Sequence, residues 1–99
     1  MFMHVVFFWC KAGTPEGVKQ EMIRYCREEM PKVSSVKNAW AGKSIASARE
    51  VVDSSYDVGL CVCFADQAGH DLYQPHAIHQ EFVRRFKDHW AKVRVQDFQ

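Results

Sequence analysis

His4-Val5-Val6-Phe7-Phe8-Trp9-Cys10 is a run without a polar face. Side chains alternate along a strand, so Val5, Phe7 and Trp9 fall on one side and Val6, Phe8 and Cys10 on the other. A strand that is apolar on both faces has to be covered twice. It therefore belongs in the interior of a sheet, with one layer packed above and another below. The stretch from Asp57 to Phe64 has the same character: Val58, Leu60, Val62 and Phe64 alternate with Gly59, Cys61 and Cys63, and again neither side is polar.

The segments around these two strands complete a familiar order. Lys11-Ala12-Gly13 turns the chain, Thr14-Pro15 has the form of an N-cap followed by proline at the first helical position, and Pro31 stops the helix. The spacing of Val18, Met22, Tyr25, Cys26 and Met30 predicts that helix over about Pro15 to Met30. A strand fits Ser35 to Gly42, with Val36, Asn38 and Trp40 on one face and Ala39 and Ala41 on the other, and a polar connection runs from Ala46 to Ser55. Asp66 can cap a short helix carrying Leu72 and Tyr73, which Pro75 interrupts. A longer helix is predicted over His76 to Trp90 with Ile78, Phe82, Val83, Phe86 and Trp90 as its apolar stripe, and Val93, Val95 and Phe98 mark a last strand.

The resulting β-α-β-β-α-β order is the ferredoxin-like split unit, an α+β fold with both helices on one face of an antiparallel sheet. Two helices cover one face only. A second copy of the chain is the economical cover for the other, which predicts a homodimer.

The 99 residues suit one domain spanning the whole chain, and a domain this short buries only about 60–65% of its unfolded surface, so association would help it. Hydrophobic residues make up 47% and charged ones 25%, too apolar for disorder and too interrupted for a membrane span. A formal net charge of +1 provides no field to attract a phosphate backbone, which argues against nucleic acid as a partner. The apolar opening lacks a basic n-region and a small-residue cleavage site, so it reads as a strand and the protein as cytoplasmic. Cys10, Cys26, Cys61 and Cys63 have no recognised metal-ligand spacing and read as free thiols.

The chemistry-bearing stretch is Tyr73-Gln74-Pro75-His76-Ala77-Ile78-His79, a Y-x-x-H-x-x-H pattern opening a helix. Asp97 is in phase with Val93 and Val95, and a carboxylate on a buried-looking face needs a partner, for which histidine is a natural choice. An Asp–His pair holds one imidazole tautomer and leaves the other nitrogen free as a base, while a nearby tyrosine could donate to a developing enolate oxygen. Structural readings stand beside these: His79 as a local helix-start partner of a carboxylate, Tyr73 as a core aromatic, His4 as a strand-edge histidine. His76 and His79 would need a third ligand to hold a metal, with His70 and Asp71 weak candidates, and no metal is expected.

In their order and spacing, His4-Val5-Val6-Phe7-Phe8, Gly42-Lys43, Tyr56-Asp57, the histidine motif and Val95-Gln96-Asp97-Phe98 resemble the stress-responsive dimeric A/B-barrel family, Dabb. The resemblance covers nearly the whole chain and implies a dimeric α+β barrel. Within it, a plant branch is similar to cofactor-free polyketide cyclases, which close a ring by aldol chemistry in a pocket between helices and sheet. The resemblance implies acid/base roles for Tyr73 and His79, a pocket position for His4, and an Asp97 that holds His79. Val6, Phe8, Ile23, His76 and Trp90 would line that pocket. Two departures matter: proline precedes the first histidine as Pro75, with Ala77 in the usual proline place, and Ile23 stands where the cyclase branch has tyrosine. With the catalytic set incomplete, the expectation is a dimeric protein that binds a small apolar or aromatic ligand without a cofactor. The alternative is an acid/base enzyme of polyketide-cyclase type.

Overall fold

The two strands with no polar face occupy the centre of the sheet. In the computed structural model, which describes all 99 residues, the elements are β1 (Phe2–Cys10), α1 (Glu16–Glu28), β2 (Val36–Lys43), β3 (Val58–Phe64), α2 (Gln67–Tyr73), α3 (Ala77–Phe86) and β4 (Trp90–Phe98). The sheet has the order β2-β3-β1-β4 with every neighbouring pair antiparallel, the ferredoxin-like arrangement. Phe2, His4, Val6 and Phe8 of β1 and Val58, Leu60, Val62 and Phe64 of β3 are buried beneath the helices.

Helix α1 supplies Met22, Tyr25 and Cys26 to that core and α3 supplies Phe82 and Phe86. Phe82 sits at the hub, with ring centroids 5.7 Å from Phe8, 5.7 Å from Tyr25 and 5.2 Å from Phe86. The Tyr25 hydroxyl donates to the Ile78 carbonyl at 2.7 Å, pinning α1 to α3.

Four local expectations are corrected. The Thr14 hydroxyl turns back to the Lys11 carbonyl at 2.7 Å, so Pro15 occupies the cap position of α1, after a turn in which Gly13 adopts φ 83°. That helix ends at Glu28 and a 3-10 turn over Met30–Lys32 follows. In β2 the pairing register slips between Val36 and Asn38, which brings Val36 onto the same buried face as Ala39 and Ala41 and leaves Trp40 62% exposed. Finally α3 stops at Phe86 and a 3-10 turn over Lys87–His89 leads into β4, so Trp90 begins a strand instead of closing a helix.

The other face of the sheet carries no helix; the β2–β3 connection reaches over part of it, where Tyr56 packs 4.8 Å from Phe7 and Ser55 accepts from the Trp9 indole at 3.0 Å. Met3, Val5, Phe7 and Trp9 of β1 and Cys61 and Cys63 of β3 lie there, only half-buried. The outer edge of β2 is occupied from its own chain: Arg27 Nε donates to the Ala41 carbonyl at 2.7 Å while its guanidinium lies 4.1 Å from the centre of the Trp40 ring.

Candidate functional site

A hollow of about 150 Å³ opens between α3 and the β1–β4 side of the sheet. Val6, Phe8, Leu60, Val93 and Val95 form its floor and Phe82 and Val83 its roof, while His4, Tyr73, Gln74 and His79 gather at one end. The sheet positions these groups by register. His4 and Asp97 are directly paired across β1 and β4, as are Val6 with Val95 and Phe8 with Val93.

Asp97 thus meets His4, with 2.6 Å between its Oδ1 and His4 Nδ1, and not His79 as expected. The carboxylate accepts the Nδ1 proton, which leaves the lone pair of neutral His4 on Nε2. Burial lowers the pKa of His4 below the ordinary 6.5; Asp97 opposes the shift and His70 adds to it. His79 takes a different partner: its Nδ1 donates to the Gln74 carbonyl at 2.9 Å. Burial also lowers the His79 pKa, against the effect of that carbonyl, and His4 and His70 add to the lowering. Both imidazoles are consequently neutral near pH 7, each with its Nδ1 proton engaged.

Asp66 caps α2 by accepting from the Gly69 amide at 3.0 Å, and α2 delivers Tyr73 to the junction of pocket and core. The Tyr73 ring packs 4.7 Å from His79 and 6.0 Å from His4, but its hydroxyl is directed at Met30 Sδ, 3.6 Å away. Burial raises the pKa of that hydroxyl. His76 caps α3, its Nδ1 accepting from the Ile78 amide at 3.1 Å; neither it nor Ile23 lines the hollow, in contrast to the expectation for both. For Ile23 the reason is its place on α1, where it packs at the margin of the core. Val6, Phe8 and Trp90 do line the hollow, Trp90 from the start of β4. The Trp90 indole N–H is buried and has no hydrogen-bond partner.

Two participants stand where the sequence does not place them: it assigns Gln74 no role, and offers His70 only as a weak third ligand for His76 and His79. Gln74 joins the polar end, and its position between Tyr73 and His76 in the motif could have pointed to it. His70 brings a ligand-type nitrogen into a group with His4 and Asp97, all within 4.8 Å of one another. His76 and His79 form no such group, each being engaged with backbone. No helix is long and apolar enough to cross a membrane.

The family model described as Stress responsive A/B Barrel Domain matches residues 2–99. Among solved structures, a protein from Arabidopsis thaliana superposes with a TM-score of 0.85 at 22% identity, covering 100% of this chain and 94% of that one. The hydroxynitrile lyase from Passiflora edulis gives a TM-score of 0.83 at 16% identity, with 98% and 90% covered. A Bacteroides fragilis protein of unknown function, described as dimeric with a ferredoxin-like fold, gives 0.78 at 16% identity, with 99% and 94% covered. At these identities the likeness to solved structures establishes the fold alone. No curated protein matches the chain in sequence.

Proposed function

We propose that this chain, which belongs to the stress responsive A/B barrel domain family, is a dimeric binding protein for a small, single-ring aromatic molecule bearing a polar substituent. The observation that carries the reading is Trp90: it lines an apolar hollow, and its indole N–H is buried without a partner. A buried donor left unpaired costs about 1–3 kcal/mol, which a bound acceptor would recover. The size supports the same reading, since a cavity of about 150 Å³ takes roughly one benzene-sized ring. At the polar end the free nitrogens of neutral His4 and His79 are acceptors, suited to a hydroxyl on that ring. The helix-free apolar sheet face supports pairing of two chains, and the free thiols suit the cytoplasm.

The test is ligand-observed NMR with phenol and hydroxybenzaldehyde as probes. Binding is expected to the native protein and to weaken by at least about tenfold in Val83→Trp, whose indole would occupy the hollow. Absence of binding, or equal binding to both proteins, refutes the assignment.

A separate observation favours a second reading, a cofactor-free acid/base enzyme of the polyketide-cyclase type. Two imidazoles of defined tautomer border one pocket, and the His4–Asp97 pair would stabilise an imidazolium formed when His4 takes a proton. Turnover of this kind would register as solvent deuterium entering a bound carbonyl compound at its α-carbon. Exchange that persists unchanged in both His4→Gln and His79→Gln would exclude it.

A further inference from the structure

His70 does not line the hollow, and the proposed ligand makes no use of it. We propose that His4, His70 and Asp97 form a divalent transition-metal site, with zinc as the preferred ion. Three elements deliver the ligands: β1 supplies His4, α2 supplies His70 and β4 supplies Asp97. One ligand atom from each lies within 4.8 Å of the others, and the His4–Asp97 contact is 2.6 Å. In a tetrahedral zinc centre with bonds of about 2.0–2.2 Å, ligand atoms stand roughly 3.3–3.6 Å apart. The observed spacings bracket that value. Zinc would take the position of the proton between His4 and Asp97, widening that contact by under about 1 Å and drawing His70 inward.

The surroundings favour a metal over a chance cluster. A ligating imidazole needs an outer partner on its other nitrogen, and His70 has one in Asp71, whose Oδ1 is 3.2 Å from His70 Nδ1. That bond puts the lone pair on His70 Nε2, where the amide of exposed Gln74 stands at 3.1 Å and is free to yield. On the inner side Phe2 and Phe64 wall the His70 ring at centroid distances of 4.8 Å and 5.6 Å, excluding water from the core side. Asp97 is 36% exposed, which keeps the outer side open for ion entry and for a fourth ligand. Two imidazole nitrogens and one carboxylate oxygen suit zinc and its borderline neighbours, and do not suit magnesium or calcium, which require oxygen ligands.

The experiment is calorimetric titration of the full chain, stripped with chelator, using zinc chloride and then magnesium chloride, with ring nitrogens followed by 15N NMR. One zinc per chain is expected, with the His4 and His70 ring signals moving together while those of His76 and His89 stay in place. His70→Gln should abolish binding with the circular dichroism unchanged, and Asp71→Asn, at a solvent-facing position, should weaken it by about tenfold. Val83→Trp, which blocks the hollow, should bind zinc as the native protein does, so failure of the ligand assignment and failure of the metal assignment are told apart. The proposal is overturned if zinc does not bind, if it binds equally to His70→Gln, if magnesium matches it, or if the shifts fall on His76, His79 or His89 instead.

Discussion

Asp97 stands directly opposite His4 across the β1–β4 ladder, and the pair closes the polar end of the hollow with a 2.6 Å hydrogen bond. The carboxylate raises the His4 pKa against the larger opposing effect of burial. In Asp97→Asn the amide still fills the space but loses the charge, so the titration midpoint of His4 should fall further, with a smaller change at His79, which feels the His4 charge. The partly exposed position of Asp97 limits the stability loss to roughly 1 kcal/mol near neutral pH. Histidine NMR titrations and urea unfolding of the two proteins measure both effects.

Acid should destabilise the fold through His4 and His79 together. Both pKa values lie below the ordinary 6.5 in the folded protein, so between 6.5 and the folded values the unfolded chain binds more protons. Their contribution is therefore complete above 6.5 and declines as pH falls through the folded values. Urea midpoints should be level at pH 7.5 and 8, and lower at pH 5.5. His79→Gln should flatten part of that decline.

Tyr73→Phe separates the aromatic ring from its hydroxyl. Because the hydroxyl points to Met30 Sδ in the core and the ring packs on His79, binding of an aromatic probe should be unchanged within about twofold. Loss of the weak contact to sulfur should cost under about 1 kcal/mol of stability. A tenfold fall in probe affinity would instead place the hydroxyl in the site.

Sedimentation should give twice the 11.5 kDa mass of one chain at micromolar concentration. Val5 lies on the helix-free sheet face, between Cys61 and Gln96 on the flanking strands. Val5→Asp should yield monomer, whereas Lys37→Asp at the β2 irregularity should remain dimeric.

Burial pushes the Cys26 thiol pKa up to about 12, and no partner draws the proton away. At pH 8 a disulfide reagent should therefore spare Cys26 in the folded protein and modify it only after denaturation. Mass-spectrometric counting of labelled sites before and after urea checks this, and Cys26 labelling at the rate of an exposed cysteine would contradict the burial.

Strand positions were legible wherever a side-chain pattern had only one solution. Val5, Phe7 and Trp9 opposite Val6, Phe8 and Cys10 require an interior strand, and β1 and β3 are the two interior strands. The slip in β2 was not legible, because a bulge is a backbone event and Val36-Lys37-Asn38 carries no residue that demands one. Trp90 follows Phe86 and Phe82 at a helical interval of four, so periodicity alone extends α3 past its actual end. At the site, the phase of Asp97 with Val93 and Val95 did signal a carboxylate facing the helices. Its partner depends on the register between β1 and β4, which composition does not encode, and that register selects His4. The grouping of His70 with His4 and Asp97, in place of His76 and His79, was not legible for a related reason: residues 4, 70 and 97 meet only after folding and form no spacing pattern.

The contact of Arg27 with the Ala41 carbonyl bears on how copies of this chain can add to one another. Head-to-tail growth of a continuous sheet needs the β2 edge of one molecule to receive the β4 edge of the next. With a carbonyl on the β2 border already taken and a guanidinium seated over Trp40, that receiving border is blunted, and an incoming strand would first have to dislodge a charged side chain. Open-ended fibre growth is thereby disfavoured at its first step, and the apolar sheet face is left as the route by which two molecules can meet and close.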